Sequence, residues 1–484
     1  MVKDGKLKAK DIKNDTVIFK GEDSLHYEKF ADGSVKCIED EIPFELPQGW
    51  EWTRLGVIFS HNTGKALNSK SQVGNPYTYI TTSNLYWNRF ELTDLKQMLF
   101  TDAELEKCTV KKGDLLVCEG GDIGRSAIWE NDDEIRIQNH IHKMRPYIKL
   151  NIKFYYYVLY LYKHTERING KGIGIQGLSS NQLHSLLFPL PPINEQNIIA
   201  NKINGYFEYI DFLEKEKSNL SSAIQATKSK ILDFAIRGKL VPQDPNDEPA
   251  SVLLERIRAE KEELIKQGKI KRDKRESVIF KGEDNSYYEK VGSEVRCIDE
   301  ELPFEIPDNW EWARLQTVCM PITDGTHKTP TYSEEGYTFL SSKNVVNGVI
   351  DWENVMHIPE NLHNELYSRL SPQKNDILLA KNGTTGVAAI VDRDCVFDIY
   401  VTLALIRTVT HDISPHYLLR IIQSPVTQDY FKGSLKGIGV PNLHLEQIRT
   451  ALIPICPFSE QQRITAKIKA LFDMLDGIEN ALIE

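Results

Sequence analysis

Two glycine-rich turns, a repeated lysine loop and one cluster of small hydroxyls are the stretches whose residue types and spacing suit chemistry. The turns are EGGDIG, Glu119–Gly124, followed by Arg125, and KNGTTG, Lys381–Gly386. Glycine lets a chain expose backbone N–H groups and approach a ligand closely. Neither turn has the G-x-x-x-x-G-K-[ST] spacing that cradles nucleotide phosphates. They read either as plain hairpin turns or as contacts to a nucleic-acid backbone. The contact residues would then be Gly121 and Arg125 in one, and Lys381, Asn382 and Thr384 in the other. KGIG occurs at Lys171–Gly174 and again at Lys436–Gly439. Lys171 with Gly172, and Lys436 with Gly437, therefore place an ammonium on a flexible loop, which suits a phosphate. TDGTHKTP, Thr323–Pro330, gathers Thr326, His327 and Lys328 for a sugar–phosphate chain or for a solvated turn.

Catalytic patterns around these stretches fail one by one. GNPYTYI at Gly74 has one proline where an adenine methyltransferase motif has two, and no glycine-rich cofactor loop precedes it. GDLLVCEGG and NDILLAKNG, around Asp114 and Asp376, lack the Glu-x-Lys of a nuclease in register. NHIH, Asn139–His142, places two histidines on one strand face without a third ligand, so no metal site is expected. There is no G-x-S-x-G elbow. The reading is a chain with no active site.

The elements that position these residues come in two copies. PFELPQGWEWTRL, from Pro43, returns as PFEIPDNWEWARL, from Pro303, with nine of thirteen positions identical. VIFKGED recurs unchanged at Val17 and Val278, GDLL at Gly113 answers NDIL at Asn375, and FPLPPINEQ at Phe188 answers IPICPFSEQ at Ile453. The W-x-W pairs, Trp50/Trp52 and Trp310/Trp312, have strand spacing and would share one face. Burial at the start of each body is the expected role, ahead of base stacking. Between the markers the copies diverge. ITTSNLYWNRFEL, Ile80–Leu92, offers Ser83, Asn84 and Arg89, whereas LSSKNVVNGVIDW, Leu340–Trp352, offers Lys343 and Asn344. A repeated frame with a different interior suits one task performed on two targets.

Bulk properties bound this reading. At 484 residues, 41% hydrophobic and 26% charged, the chain needs two or more cores. The seven cysteines form no C-x-x-C pair, which suits a reducing compartment, and the start MVKDGKLKAKDIKND has no apolar signal core. A cytoplasmic location away from any membrane is expected. The net charge of −10 opposes a nucleic-acid binder on average, yet Thr53–Leu190 holds 17 Lys and Arg against 13 Asp and Glu. Ala313–Ile455 holds 12 against 14, so a partner would have to supply much of any positive field.

Each proline-rich exit leads into a helical pattern. Ile203, Ile210, Leu213, Leu220 and Ile224 lie on an apolar seam stepping by 3 and 4, over a helix of about Glu195–Arg237. At 1.5 Å per residue that helix is roughly 64 Å long. Gly238 and the three prolines of RGKLVPQDPNDEP stop it, and a second helix follows at about Ala250–Gln267. Leu471 and Leu475 belong to a matching seam after the second exit. The two seams are expected to pair as a coiled coil between two bodies, the alternative being that each helix packs on its own body.

With these motifs in place, the chain resembles the specificity subunit of Type I restriction–modification enzymes. The likeness covers nearly the whole chain, and GKLVPQDPNDEPASVLLERIRAEKEELIKQGKIKRDK, Gly238–Lys274, is its most specific part. The resemblance implies an α+β fold with two β-rich target recognition domains, separated by long antiparallel coiled-coil helices with a pseudo-two-fold repeat. The expected division is a partial repeat at 1–40, a first recognition domain at 41–192 and a central helical region at 193–275. A second recognition domain with its leading segment covers 276–457, and a C-terminal helix 458–484. Each domain would read half of a split double-stranded DNA target. The helices would dock methyltransferase subunits, two in number, joined by an endonuclease–translocase subunit. S-adenosylmethionine, ATP and magnesium would belong to those partners. The second helix ends at the position of Asn219 in the first, an expected shortening that fits truncation or a rearranging allele. The competing readings are a diverged stand-alone methyltransferase or nuclease, and a protein scaffold without DNA.

Overall fold

The VIFKGED repeat opens a three-stranded antiparallel meander in each half. The strands are Val17–Lys20, His26–Lys29 and Val35–Cys37 in the first, and Ser277–Lys281, Tyr287–Val291 and Glu294–Cys297 in the second. The computed structural model describes residues 15–67, 73–168, 177–270, 272, 276–435 and 442–482. They fall into two compact units, one ending at Leu213 and the other beginning at Glu214.

Each meander shelters the strand that follows it. Glu51–Arg54 pairs antiparallel with the exit strand Leu187–Leu190, and Glu311–Arg314 pairs with Leu452–Ile455. The repeated opening motif and the repeated exit are thus two halves of one clasp that closes each body. Trp52 and Trp312 are buried under the meanders, beside Ile38 and Ile298 respectively. Arg54 reaches Glu28 at 2.6 Å and Glu41 at 2.8 Å, and Arg314 repeats the fork with Glu289 and Glu301, both at 2.8 Å. Burial alone would raise the Glu289 carboxyl, but hydrogen bonds led by Arg314 bring it down to about 2.

The two tryptophans of each motif do not share a face. Trp50 N–H bonds Pro47 O in a turn, so strand alternation begins only at Glu51. Trp50 packs on Phe154 and donates its indole N–H to Glu195 at 2.7 Å, away from the Trp52 cluster. Trp310 repeats this with Glu460 at 2.9 Å.

Inside each clasp lies the same mixed architecture. One antiparallel sheet orders Ser126–Ile128, Leu115–Cys118, Ile141–Pro146 and Phe59–Thr63 in the first unit. Ala388–Ile390, Ile377–Ala380, Leu403–Thr408 and Cys319–Asp324 match it in the second. A second sheet contains a parallel pair, Asn75–Ile80 with Ile135–Ile137, matched by Tyr337–Leu340 with Phe397–Ile399. Asp114 and Asp376 are buried, each gripped by an arginine: Arg145 at 2.7 and 2.6 Å, and Arg407 at 2.7 Å on both oxygens.

The long helix spans Ile193–Ile236 and stops before Gly238, whose φ of +66° forms the turn. Its first turns pack on the first body through Ile199 and Ala200. Its last turns, Ile224 to Ile236, pair with the C-terminal helix Phe458–Asn480. Gln225 meets Glu479 and Lys228 meets Asp476, so the pairing is antiparallel. Ile464, Ile468, Leu471 and Leu475 lie in that contact. Seam pairing is therefore real but partial, because every residue from 205 to 220 is exposed, Ile210, Leu213 and Leu220 included. The helix Ala250–Lys266 sinks Leu253, Leu254 and Ile257 into the core of the second unit. Among the described residues no helix is long and apolar enough to cross a membrane.

Candidate nucleic-acid interface

Strand register decides which predicted residues meet. Thr63 opposes His142 and Cys118 opposes Ile141, which brings Gly64, the turn from Glu119 to Arg125 and His140 to one end of a sheet. In the second unit Asp324 opposes Ala404 and Ala380 opposes Leu403, bringing the loop Gly325–Lys328 beside the turn from Lys381 to Gly386. Gly64 and Gly325 are required here. A Cβ on Gly64 would lie 2.1 Å from Ile137 O, and one on Gly325 1.9 Å from Ile399 O.

The described residues that follow the two KGIG stretches in the chain attach to the same end. Leu178 N donates to Glu119 O at 2.7 Å, and Leu443 N donates to Lys381 O at 2.9 Å. The loops themselves, with Lys171, Gly172, Lys436 and Gly437, lie outside the described residues.

In the first unit a short helical turn, Thr82–Asn84, and a hairpin of Leu85–Tyr86 with Arg89–Phe90 lie against the glycine turn. Arg125 joins the two by donating to Thr82 O at 2.6 Å. The Tyr86 ring receives both guanidinium groups, Arg89 at 4.9 Å and Arg125 at 5.0 Å. Ser83 and Arg89 are exposed, and Gly121 sits at φ +72° on the exposed crest of the turn. Asn84 is used locally, because its side chain accepts Thr81 N–H at 2.9 Å and donates to Glu91 O at 3.1 Å. The only sequence signal for Tyr86 is the Tyr-x-x-Arg spacing across a hairpin turn.

The second unit builds the same frame with other side chains. Thr384 replaces the arginine link, its hydroxyl donating to Ser342 O at 3.3 Å. Lys343, His327 and Lys328 are exposed, Asn382 and Thr326 are half-buried, and Thr326 Oγ1 accepts Lys328 N–H at 3.3 Å. Val346, Val349 and Val387 stand where the first unit has Tyr86, Arg89 and Arg125. Two expectations need correction. Lys381 is buried and its ammonium lies against Asp324, because a buried carboxylate requires a charge partner. Asn344 is 5% exposed and holds its loop together through Ser341 N–H and Asn354 O, both at 2.9 Å.

The NHIH histidines also separate. His140 precedes the strand, in an exposed turn near Glu119 at 3.6 Å. His142 points inward, where Nε2–H donates to Leu178 O at 2.7 Å and Nδ1 accepts from His61 Nε2 at 2.8 Å. His184 packs edge-on against His61. Burial first, then the neighbouring imidazoles, push His61 down to about 3, and burial lowers His142 and His184 as well. Among the described residues no group of three His, Cys, Asp or Glu side chains is arranged to hold a metal ion.

A sequence model of the Type I restriction modification DNA specificity domain matches residues 47–222 and 307–484, one copy on each body. The chain belongs to this family. The Type I restriction enzyme EcoAI specificity subunit of Escherichia coli is 27% identical over 91% of this chain and 80% of its own length. The EcoEI specificity subunit of the same species is 26% identical over 93% and 82%. A structure solved in work on complex assembly and conformational transition of the type I R-M system has the same fold. Its TM-score is 0.60 at 15% identity, covering 91% of this chain and 94% of that one. Both specificity domains thus keep one frame and present different side chains at its loop end.

Proposed function

We propose that this chain reads a bipartite double-stranded DNA target for a Type I restriction–modification complex, each specificity domain contacting one half. The observation that carries this reading is the exchange of Tyr86, Arg89 and Arg125 for Val346, Val349 and Val387 at equivalent places in one frame. Arginine hydrogen-bonds guanine edges or phosphates, whereas valine offers apolar contact such as that with a thymine methyl, so the two ends select different DNA. The glycine turns and lysine loops supply contacts common to any sequence.

The chain has no catalytic role in this reading. Asp114 and Asp376, just before the strands that lead into the glycine turns, are buried and each held by two hydrogen bonds from an arginine, which gives them a structural role. Chemistry falls to methyltransferase subunits, two per chain, and to an endonuclease–translocase, which bring S-adenosylmethionine, ATP and magnesium in the cytoplasm. The exposed apolar stretch of the long helix, with Tyr206 at 69% and Tyr209 at 60% exposure, is the surface that favours methyltransferase docking. Replacing Trp52–Leu190 with the body of another family member, then sequencing the methylated DNA, tests the two-reader arrangement. One half-site should change and the other persist. A change in both halves together refutes it.

A further inference from the structure

The hairpin that carries Tyr86 and Arg89 has an aromatic tip. Leu85–Tyr86 pairs with Arg89–Phe90, so Trp87 and Asn88 form the two-residue turn between them, with Asn88 at φ +54°. The base of the hairpin is held by Phe90, edge-on against Trp129 at 4.9 Å, and Asn88 N–H donates to Ser126 O at 3.3 Å. Trp87 lies on the helix Ile152–His164. Its ring meets Tyr160 edge-on at 5.0 Å, His164 at 5.8 Å and Tyr156 at 6.1 Å. Tyr156, Tyr160 and His164 follow one another at four-residue spacing, which places them on one face of the helix. Tyr160 is held in turn by stacking on His164 at 4.0 Å. Aromatic pairs in such geometry add to what burial alone supplies.

The end of the same helix also holds the glycine turn. Lys163 Nζ reaches Asp122 at 3.0 Å, and Ile168 sits so close to Gly124 that a Cβ there would lie 3.0 Å from its Cγ2. The second unit repeats this arrangement with other chemistry. Asn151 and Ser414 each cap a helix, and each N–H bonds the glutamine of the exit motif, Gln196 at 3.0 Å and Gln461 at 2.9 Å. In that register Gln423 answers Tyr160. The hairpin of Val345–Val346 with Val349–Ile350 turns at Asn347 and Gly348, both at positive φ. A Cβ on Gly348 would lie 3.1 Å from Gln423 Nε2, which donates to Ala388 O at 3.1 Å. Gln428 Nε2 donates to Gly386 O at 2.9 Å, the second unit's hold on its glycine turn. One helix position thus meets the hairpin tip in both units, through an aromatic pair in one and a glutamine in the other.

We infer, on the two-reader function proposed above, that Trp87 with Tyr160 in the first unit, and Gln423 in the second, are positioning residues for sequence reading. They set the place from which Tyr86 and Arg89, or Val346 and Val349, meet base edges. Trp87 acts through its neighbours, because its own ring is half-buried against three side chains of the helix. A hydrogen bond to a base edge weakens steeply with distance and angle, whereas a phosphate is the same at every step and attracts a cation over a longer range. A hairpin tip released from the helix therefore loses its choice between sequences before it loses its hold on DNA.

The full chain in complex with its methyltransferase partner tests this. Methylated DNA from cells carrying the native complex supplies the target duplex, and two further duplexes carry one half scrambled. Arg89→Ala marks the half read by the first unit. Trp87→Ala and Tyr160→Ala should each cut discrimination against a scrambled first half by about tenfold, the range of one base contact. Discrimination at the second half and the salt slope should stay as in the native complex. The double variant should lose no more than either single one, and Trp87→Phe should keep most of the native discrimination. Gln423→Ala should show the mirror pattern, confined to the second half. A partly unfolded first unit does not imitate this result, since it weakens binding to every duplex alike. Equal weakening on all three duplexes, or additive losses in the double variant, overturns the inference. So does native discrimination by Tyr160→Ala, which would make Trp87 a direct base contact. If Arg89→Ala alters neither half, the reading of DNA by this hairpin falls, and the positioning role with it.

Discussion

Replacing His61 with glutamine should flatten the acid sensitivity of the first unit. In the folded chain His61 is held neutral, its pKa lowered from 6.5 to about 3 by burial and by His142 and His184. In the unfolded chain the imidazole titrates near 6.5. As pH falls below 6.5 the unfolded state binds a proton that the folded state refuses. Stability is therefore complete above 6.5 and declines toward 3, by about 1.4 kcal/mol per pH unit for one such group. Between pH 7 and pH 5 the loss from His61 is about 2 kcal/mol, and a folded pKa anywhere below about 4.5 leaves that figure almost unchanged. His142 shifts in the same direction and adds to it. The depressed carboxylates, Glu104 and Glu289 at about 2, lose their contribution only below about 4.5, outside this window. A glutamine Nε2 retains the donation to His142 Nδ1 while removing the titration. Calorimetry of both proteins at pH 7 and pH 5 is the assay. The first-unit transition of the native chain should fall by roughly 4–8 °C more than that of His61→Gln. Equal acid shifts in the two proteins would refute the account of the histidine cluster.

Three further outcomes are expected. Lys381→Met should destabilise the second unit by about 3 kcal/mol by stranding Asp324, with Asp324→Asn restoring most of it in the double variant; intact calorimetric stability with weakened DNA binding would return Lys381 to the interface. Leu213→Asp with Leu220→Asp should leave both units folded, because both side chains are exposed, yet weaken methyltransferase docking; unchanged complex size and activity would count against a helix-mediated dock. Lys436→Ala should weaken DNA binding about equally on all sequences and lower the salt slope by roughly 1, checked by titrations at several salt concentrations; a sequence-dependent loss would make it a base contact instead.

The large-scale plan was legible because it is written in local signals. Repeated motifs, a 3-and-4 seam and a Gly-Pro stop each act over a few residues, so two bodies, the end of the long helix near Ile236 and the helix from Ala250 could be read directly. The candidate site was legible only as a set of loops. Gly121, Arg125, His327 and Lys328 lie at the expected loop ends, whereas Lys381 and Asn344 have the right composition and the wrong exposure. The fate of Lys381 hinges on Asp324, 57 residues away, and that of His142 on His61, 81 residues away.

Composition and spacing by themselves determined the duplication, the helical connections and the absence of recognisable catalytic motifs, since periodicity and turn chemistry are properties of neighbouring residues. Tertiary structure alone decided which charges are spent inside, that Trp50 and Trp52 part company at a turn, and that the opening and exit motifs clasp each other. Each of these depends on desolvation and contact between residues distant in sequence, where the cost of burying a charge or exposing an aromatic is set by whichever segment happens to lie across from it.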